Sequence, residues 1–206
     1  MHDHHDHDLT FQADHDTGPA SPYEVLEHAI RELLVEKGVL TNAEISEHID
    51  KMATRNETLG AKVTARAWTD PEFKQRYLND TRAALASMDI DIGDMAEYRV
   101  VENTPRIHNV IICTLCSCYP KLLLGYPPSW YKSVTYRSRT VREPRAVLQE
   151  FGVELPDGVE VRVHDSTADL RYIVLPMQPE ETTDWPAEKL MAKISRDSLI
   201  GTSIPT

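Results

Sequence analysis

Long apolar runs are missing. No stretch of the 206 residues approaches the roughly 20 that a membrane-spanning helix requires, and the first residues lack the basic and apolar regions of a secretory signal. A cytoplasmic location is the default expectation. Positive charge is also short: with 22 Lys and Arg against 33 Asp and Glu, the formal net charge of -11 argues against a nucleic-acid-binding surface and favours solubility. Cysteine is scarcer still, at 3 residues. All of them fall between Cys113 and Cys118, so they cannot staple distant parts of a fold and point to reduced thiols, metal chemistry or both. The hydrophobic fraction of 41% suffices for a real core, in one domain with an appendage or in two small ones.

Residues 1–20 alternate His and Asp, from His2-Asp3-His4-His5-Asp6-His7-Asp8 to Asp14-His15-Asp16, and are expected to be a disordered tail. Imidazole and carboxylate together could capture a divalent metal weakly; a solvated arm without a role is the plainer reading. Residues 21–95 read as an N-terminal helical arm. Ser21-Pro22-Tyr23-Glu24 offers an N-cap, a first-turn proline and a Glu at the third position, and Val25, Leu26, Ile30, Leu33 and Leu34 then repeat at helical spacing up to Gly38. Thr41 and Glu44 form a second capping box ahead of Ile45, Ile49 and Met52. These apolar stripes face either a core or another subunit. Leu59 to Trp68 predicts a further helix, and Asp70-Pro71 starts one that carries Phe73, Tyr77, Leu78, Ala84 and Leu85. Asp89-Ile90-Asp91-Ile92-Gly93-Asp94 has the alternating aspartates of a calcium loop, but Val100 stands where such a loop needs its bidentate Glu, so a turn-rich linker is expected.

Residues 96–206 predict a layered α/β domain, which makes the fold class α+β. Val100-Val101 and Val110-Ile111-Ile112 read as short strands flanking a Thr104-Pro105 turn. Tyr119-Pro120 and Tyr126-Pro127-Pro128 exclude a long helix before Trp130, and Pro144 opens a short one that Gly152 ends. Val159, Val161 and Val163 alternate with polar residues as in a half-buried strand, Tyr172 to Leu175 is another strand candidate, and a last helix begins near Pro186.

Cys113-Thr114-Leu115-Cys116-Ser117-Cys118 can be read in three ways. Tetrahedral zinc would take the three sulfurs and a fourth ligand, for which His108 is the candidate, although no second Cys or His pair follows. A dithiol redox couple fits poorly with Leu115 and the crowding third cysteine. The last reading turns on Cys116-Ser117-Cys118, where one residue separates two thiolates and the backbone nitrogens of Ser117 and Cys118 are placed to join the shell. Deprotonated, they would make three sulfurs and two nitrogens around one trivalent low-spin cobalt or iron, with one site open for Lewis-acid catalysis.

The claw with its following Tyr119-Pro120 resembles that of the nitrile hydratase alpha subunit. Similar family segments are Ala67-Trp68-Thr69-Asp70-Pro71-Glu72-Phe73, Val101-Glu102-Asn103-Thr104-Pro105, Pro127-Pro128-Ser129-Trp130-Tyr131-Lys132, Val141-Arg142-Glu143-Pro144-Arg145, Arg171-Tyr172-Ile173-Val174-Leu175-Pro176 and Arg196-Asp197-Ser198-Leu199-Ile200-Gly201. The resemblance implies a noncorrin cobalt(III) or iron(III) centre held by Cys113, Cys116, Cys118 and the amide nitrogens of Ser117 and Cys118. It implies oxidation of Cys116 to sulfinate and of Cys118 to sulfenate, and hydration of a small nitrile to an amide. Thr114 stands where the family's cobalt members carry Thr and its iron members Ser, so cobalt is expected. A beta-type partner subunit, supplying arginines to the oxidised sulfurs, and a metallochaperone or activator protein are implied as well. Arg171 resembles a family arginine near the centre. Lys121 departs from the usual Trp after Tyr119-Pro120, and Asp94-Met95 stands where many members have Gln-Gly. A cation at Lys121 suits an anionic substrate and resembles the gamma subunit of thiocyanate hydrolase, which is the alternative; a non-catalytic zinc subunit is the third.

Overall fold

The computed structural model describes residues 22–53 (backbone only at 51–53), 55–116 and 118–206. The expected tail, the N-cap at Ser21 and the claw residue Ser117 lie outside the described residues.

The chain opens with helices α1 (Pro22–Glu36) and α2 (Asn42–Ala53). The second capping box is present in full: Thr41 donates its backbone N–H and its hydroxyl to Glu44 at 2.8 Å each, and the Glu44 N–H donates to Thr41 Oγ1 at 3.2 Å. Gly38, at φ 67, turns the chain between the two helices. α1 buries no residue, and Tyr23 stands 82% exposed at its start. Tyr23, Leu26, Ile30 and Leu34 of α1 instead line an open groove of about 470 Å³ with Leu40 and Ile45.

Asn56 caps α3 (Glu57–Thr69) by accepting the Thr58 N–H at 2.9 Å, and Asp70 caps α4 (Pro71–Asn79) through the Phe73 N–H at 3.0 Å, with Pro71 in the first turn. The single helix expected from Pro71 to Leu85 is broken in two. Asp80 is a second N-cap, its carboxylate accepting the Ala83 N–H at 2.9 Å to start α5 (Thr81–Ala86), while the Thr81 hydroxyl donates to the Tyr77 carbonyl at 3.0 Å. Apolar periodicity runs through this break, which is why spacing alone did not reveal it.

Strands β1 (Glu97–Glu102) and β2 (Ile107–Ile112) follow, joined by a turn that Thr104 and Ile107 close. They do not pair with each other. β1 pairs in parallel with β4 (Leu170–Leu175), and β2 in parallel with β3 (Glu160–Asp165). Between the pairs lie α6 (Lys121–Leu124), a 3-10 turn at Ser129–Lys132, α7 (Val134–Arg142) and α8 (Pro144–Glu150). α9 (Ala187–Met191) and α10 (Arg196–Ile200) close the chain. Helices α4 and α5 pack on β1, α10 on β4 and β2, α8 on β3, and α3 on α6, α9 and α10. Residues from α3–α5 therefore share one core with the strands: Val63, Ala65, Tyr77 and Leu85 are buried with Ile111, Ile112, Ile173 and Val174. Burying each such Ile or Leu contributes about 1.5–3 kcal/mol, and β2 is buried at every position after Ile107.

Below β2, Asn103 Oδ1 accepts the Asn109 N–H and the Asn109 amide at 2.7 and 2.9 Å, which turns the Asn103 amide nitrogen toward His108 Nδ1 at 3.4 Å. His108 Nε2–H donates to the Gly201 carbonyl at 2.7 Å. A neutral ring satisfies both partners, and burial holds His108 below the ordinary value of 6.5; burial also holds His164 below it. Both histidines bind protons more readily in the unfolded chain, so their stabilising effect is present above 6.5 and is lost as pH falls from there. The melting temperature is expected to drop between about pH 7.5 and about pH 5.5; a flat profile over that range would contradict this assignment.

Candidate metal centre

β2 carries its buried run Val110-Ile111-Ile112 directly into Cys113, itself 1% exposed, and the chain then leaves the sheet as a turn. The turn returns three sulfurs to one point: the Sγ atoms of Cys113, Cys116 and Cys118 lie within 4.8 Å of one another. Cys113 to Cys116 is 3.3 Å and Cys116 to Cys118 is 3.0 Å, sulfur to sulfur. The Cys116 N–H also points at the Cys113 sulfur, at 3.2 Å.

The expected zinc ligand His108 is excluded by topology. It stands near the start of β2, turned onto Asn103 and Gly201, while Cys113 follows the other end of the strand. Five residues of extended chain separate the two by roughly 16 Å.

Burial pushes the Cys118 thiol up to about 12, the hydrogen bond with Cys116 and the charges of Cys113 and Cys116 add to the rise, and Arg171 pulls it down. Thiols packed this closely ionise together only with a cation among them, and a metal bound there takes up the thiolates and releases their protons.

Two walls support the turn. Asp165, the last residue of β3, accepts the Thr114 N–H at 2.9 Å on one carboxylate oxygen and the Thr114 hydroxyl at 2.5 Å on the other. Arg137 of α7 donates to the Thr114 carbonyl at 3.1 Å. Behind Cys118, the Tyr131 hydroxyl donates to the Cys118 carbonyl at 3.0 Å, and Tyr119 packs edge-on against Tyr131 at 5.1 Å between ring centres. The sequence reading missed Asp165, Arg137 and Tyr131 in these contacts. No spacing rule links them to the claw, because β3, α7 and the 3-10 turn are distant in the chain.

Of the other expected site residues, Thr114 is on the exposed rim of the turn and Lys121 is exposed at the start of α6, immediately after Tyr119-Pro120. Arg171 lies on β4 opposite Tyr98, with its Nη1 buried and without a hydrogen-bond partner among the described residues. Met95 is 90% exposed. Residues 91–93 lie beside Leu122: Arg55 bridges the Asp91 and Leu122 carbonyls at 3.3 and 3.2 Å.

The family model described as "Nitrile hydratase, alpha chain" matches residues 21–203. The chain belongs to the nitrile hydratase alpha family. Among curated relatives, the low-molecular weight cobalt-containing nitrile hydratase subunit alpha of Rhodococcus rhodochrous is 48% identical over 183 residues, covering 86% of each chain. The thiocyanate hydrolase subunit gamma of Thiobacillus thioparus is 40% identical over 196 residues, covering 90% of this chain and 81% of the relative. Among solved structures, a double mutant of the Fe-type nitrile hydratase from Comamonas testosteroni Ni1 superposes with a TM-score of 0.84 at 40% identity, over 91% of this chain and 92% of the other. The α+β fold is thus that of nitrile hydratase and thiocyanate hydrolase subunits, and the cysteine cluster that follows β2 could hold a metal.

Proposed function

We propose that this chain is the metal-binding alpha subunit of a nitrile hydratase that adds water to a small nitrile and gives an amide at low-spin trivalent cobalt. The observation that carries this reading is the convergence of Cys113, Cys116 and Cys118 at the end of β2, in a chain whose Rhodococcus rhodochrous relative is named as cobalt-containing. Thr114 supports cobalt over iron by the family resemblance, although an iron-type structure is among the neighbours. Cys113, Cys116 and Cys118 with the amide nitrogens of Ser117 and Cys118 would hold the ion. When bound, it supplies Lewis-acid polarisation of the nitrile. In this reading Cys116 is the sulfinate and Cys118 the sulfenate, and the nitrile carbon would be attacked either by the Cys118 sulfenate oxygen, which water then replaces on the sulfur, or by hydroxide derived from water at the open site. One water is consumed overall: the carbon gains an oxygen and the nitrogen gains two protons.

A beta-type subunit completes the site. The apolar groove on α1 and α2 supports a role for the arm in that association, because it leaves Tyr23, Leu26 and Ile30 exposed in this chain. A cytoplasmic location and an activator protein for metal loading belong to the same reading; among the described residues no helix is long and apolar enough to cross a membrane.

Lys121 favours a second reading, in which the substrate is anionic, as for thiocyanate hydrolase. Co-expression with the beta-type partner and assay of an uncharged nitrile against thiocyanate separates the two: nitrile hydration is expected, and thiocyanate turnover without it would overturn the first reading. In the same complex, Lys121→Trp should lower kcat/KM for an anionic substrate about tenfold relative to a neutral nitrile if the pocket uses the charge. Equal effects on both would mean that the ammonium points to solvent.

A further inference from the structure

The claw is a surface turn. Thr114 and Cys116 are exposed and Leu115 is 87% exposed, so few apolar contacts hold the ligand positions. A turn left to itself samples many backbone conformations, and a metal that must order it binds more weakly.

Thr114 is nonetheless held at every polar atom it has. Its N–H and its hydroxyl go to separate oxygens of Asp165, at 2.9 and 2.5 Å, and its carbonyl takes Arg137 Nη1 at 3.1 Å. Asp165 reaches this position by strand register. It pairs with Ile112 in the last rung of the β2–β3 ladder, next to Cys113, and the Ser166 N–H closes that ladder on the Ile112 carbonyl at 2.8 Å. A slip of one residue would turn the carboxylate to the other face of the sheet. Arg137 arrives from α7, so β3 and α7 converge on the two peptide units that flank the Thr114 Cα. Cys113, on one side of Thr114, is anchored at 1% exposure; rotation about the Thr114 backbone therefore moves Cys116 relative to Cys113 and opens the 3.3 Å sulfur pair.

We propose that Asp165 and Arg137 are positioning residues that brace Thr114 and hold the first turn of the claw in its ligating shape before metal arrives. The inference rests on the claw being the metal centre described above. A carboxylate suits the task because both of its oxygens accept with the strength of a charged acceptor, whereas an amide in its place leaves two weaker neutral bonds, one of which requires the Thr114 hydroxyl to reverse and accept.

The test uses the full-length apo chain and Co(II), with affinity read by competition against a chromophoric chelator and with the sulfur-to-cobalt charge-transfer band as signature. Asp165→Asn is expected to weaken Co(II) binding about 10- to 100-fold and to shift the band, and Arg137→Ala to weaken it in the same direction. Thr114→Val should weaken binding, and Thr114→Ser, which keeps the hydroxyl for Asp165, should bind Co(II) more tightly than Thr114→Val. The losses of Asp165→Asn and Thr114→Val should not add in the double variant. Glu160→Gln, on the same strand but paired with Arg162 at 2.9 Å, should bind as wild type. Circular-dichroism melts separate loss of the brace from loss of the fold; if Asp165→Asn does not fold, Thr114→Val against Thr114→Ser reads the same bond. Unchanged affinity and band in the Asp165 and Thr114 variants, or fully additive losses, would overturn the brace alone. Failure of the wild-type chain to bind Co(II) through its thiols would overturn the metal centre and the brace together.

Discussion

A chain carrying Cys118→Ser keeps its fold and loses its reaction. Co-expressed with the beta-type partner, it is expected to retain little cobalt and to hydrate nitriles roughly a thousandfold more slowly, or less. In the proposed site Cys118 supplies its sulfur and its amide nitrogen as ligands, and its sulfenate oxygen is one of two candidate nucleophiles beside a water-derived hydroxide. A serine hydroxyl is a harder donor that stays protonated at neutral pH, and it cannot carry the sulfenate oxygen. The fold survives because Cys118 is only partly buried and its supporting contact is made by the backbone, whose carbonyl still accepts the Tyr131 hydroxyl. Compared as metal-free chains, variant and wild type should therefore differ in melting temperature by the equivalent of about 1 kcal/mol or less. Cys113→Ser offers the contrast. That residue is 1% exposed at the end of β2, so metal and stability should fall together. Elemental analysis, turnover and thermal melts of the two variants check this; full activity in Cys118→Ser would remove the residue from the mechanism.

Gly201→Ala is expected to have the largest effect on stability. Gly201 ends α10 at φ 94, where an L side chain is strained, and a Cβ built there lies 2.0 Å from the Asn109 carbonyl oxygen and 2.9 Å from the Val110 Cα. Both obstacles are backbone atoms of β2, the strand that delivers the claw, and the Gly201 carbonyl is also the acceptor for His108. Nothing flexible can yield. The expected loss is about 3 kcal/mol or more, and the melting temperature should fall by roughly 10 °C. Gly152→Ala isolates the conformational part: φ is 81 there, but no atom lies within 4 Å of the added carbon, so only about 1–2 kcal/mol is at stake. Equal losses at the two positions would show that the close approach to β2 contributes nothing.

Much of the site was legible because its chemistry is local. Three cysteines in six residues bring their own geometry, and the exposed cation at Lys121 follows them directly in the chain. Helix starts were legible for the same reason: Thr41 with Glu44, and Asp70 with Pro71, are satisfied within one turn. What escaped the sequence depends on distant pairing. The strands β1 and β2 looked like neighbours across a turn, yet each pairs with a strand from the last third of the chain. That register brings Asp165 to Thr114 and turns His108 away from the claw. The helix α7 also escaped, since Val134-Thr135 and Thr140-Val141 favour strands and only Tyr136 and Thr140 are buried on it; the Ser133 hydroxyl, accepting the Tyr136 N–H at 3.0 Å, starts it. α10 is five residues long and shows no period to read.

The central claim is that Cys113, Cys116 and Cys118 form an oxidised cobalt claw. Elemental analysis of the complex with its beta-type partner, together with mass spectrometry of the claw peptide, tests it most directly. Stoichiometric cobalt is expected, with Cys116 at the sulfinate level and Cys118 at the sulfenate level. Stoichiometric zinc on three unmodified thiols would contradict it.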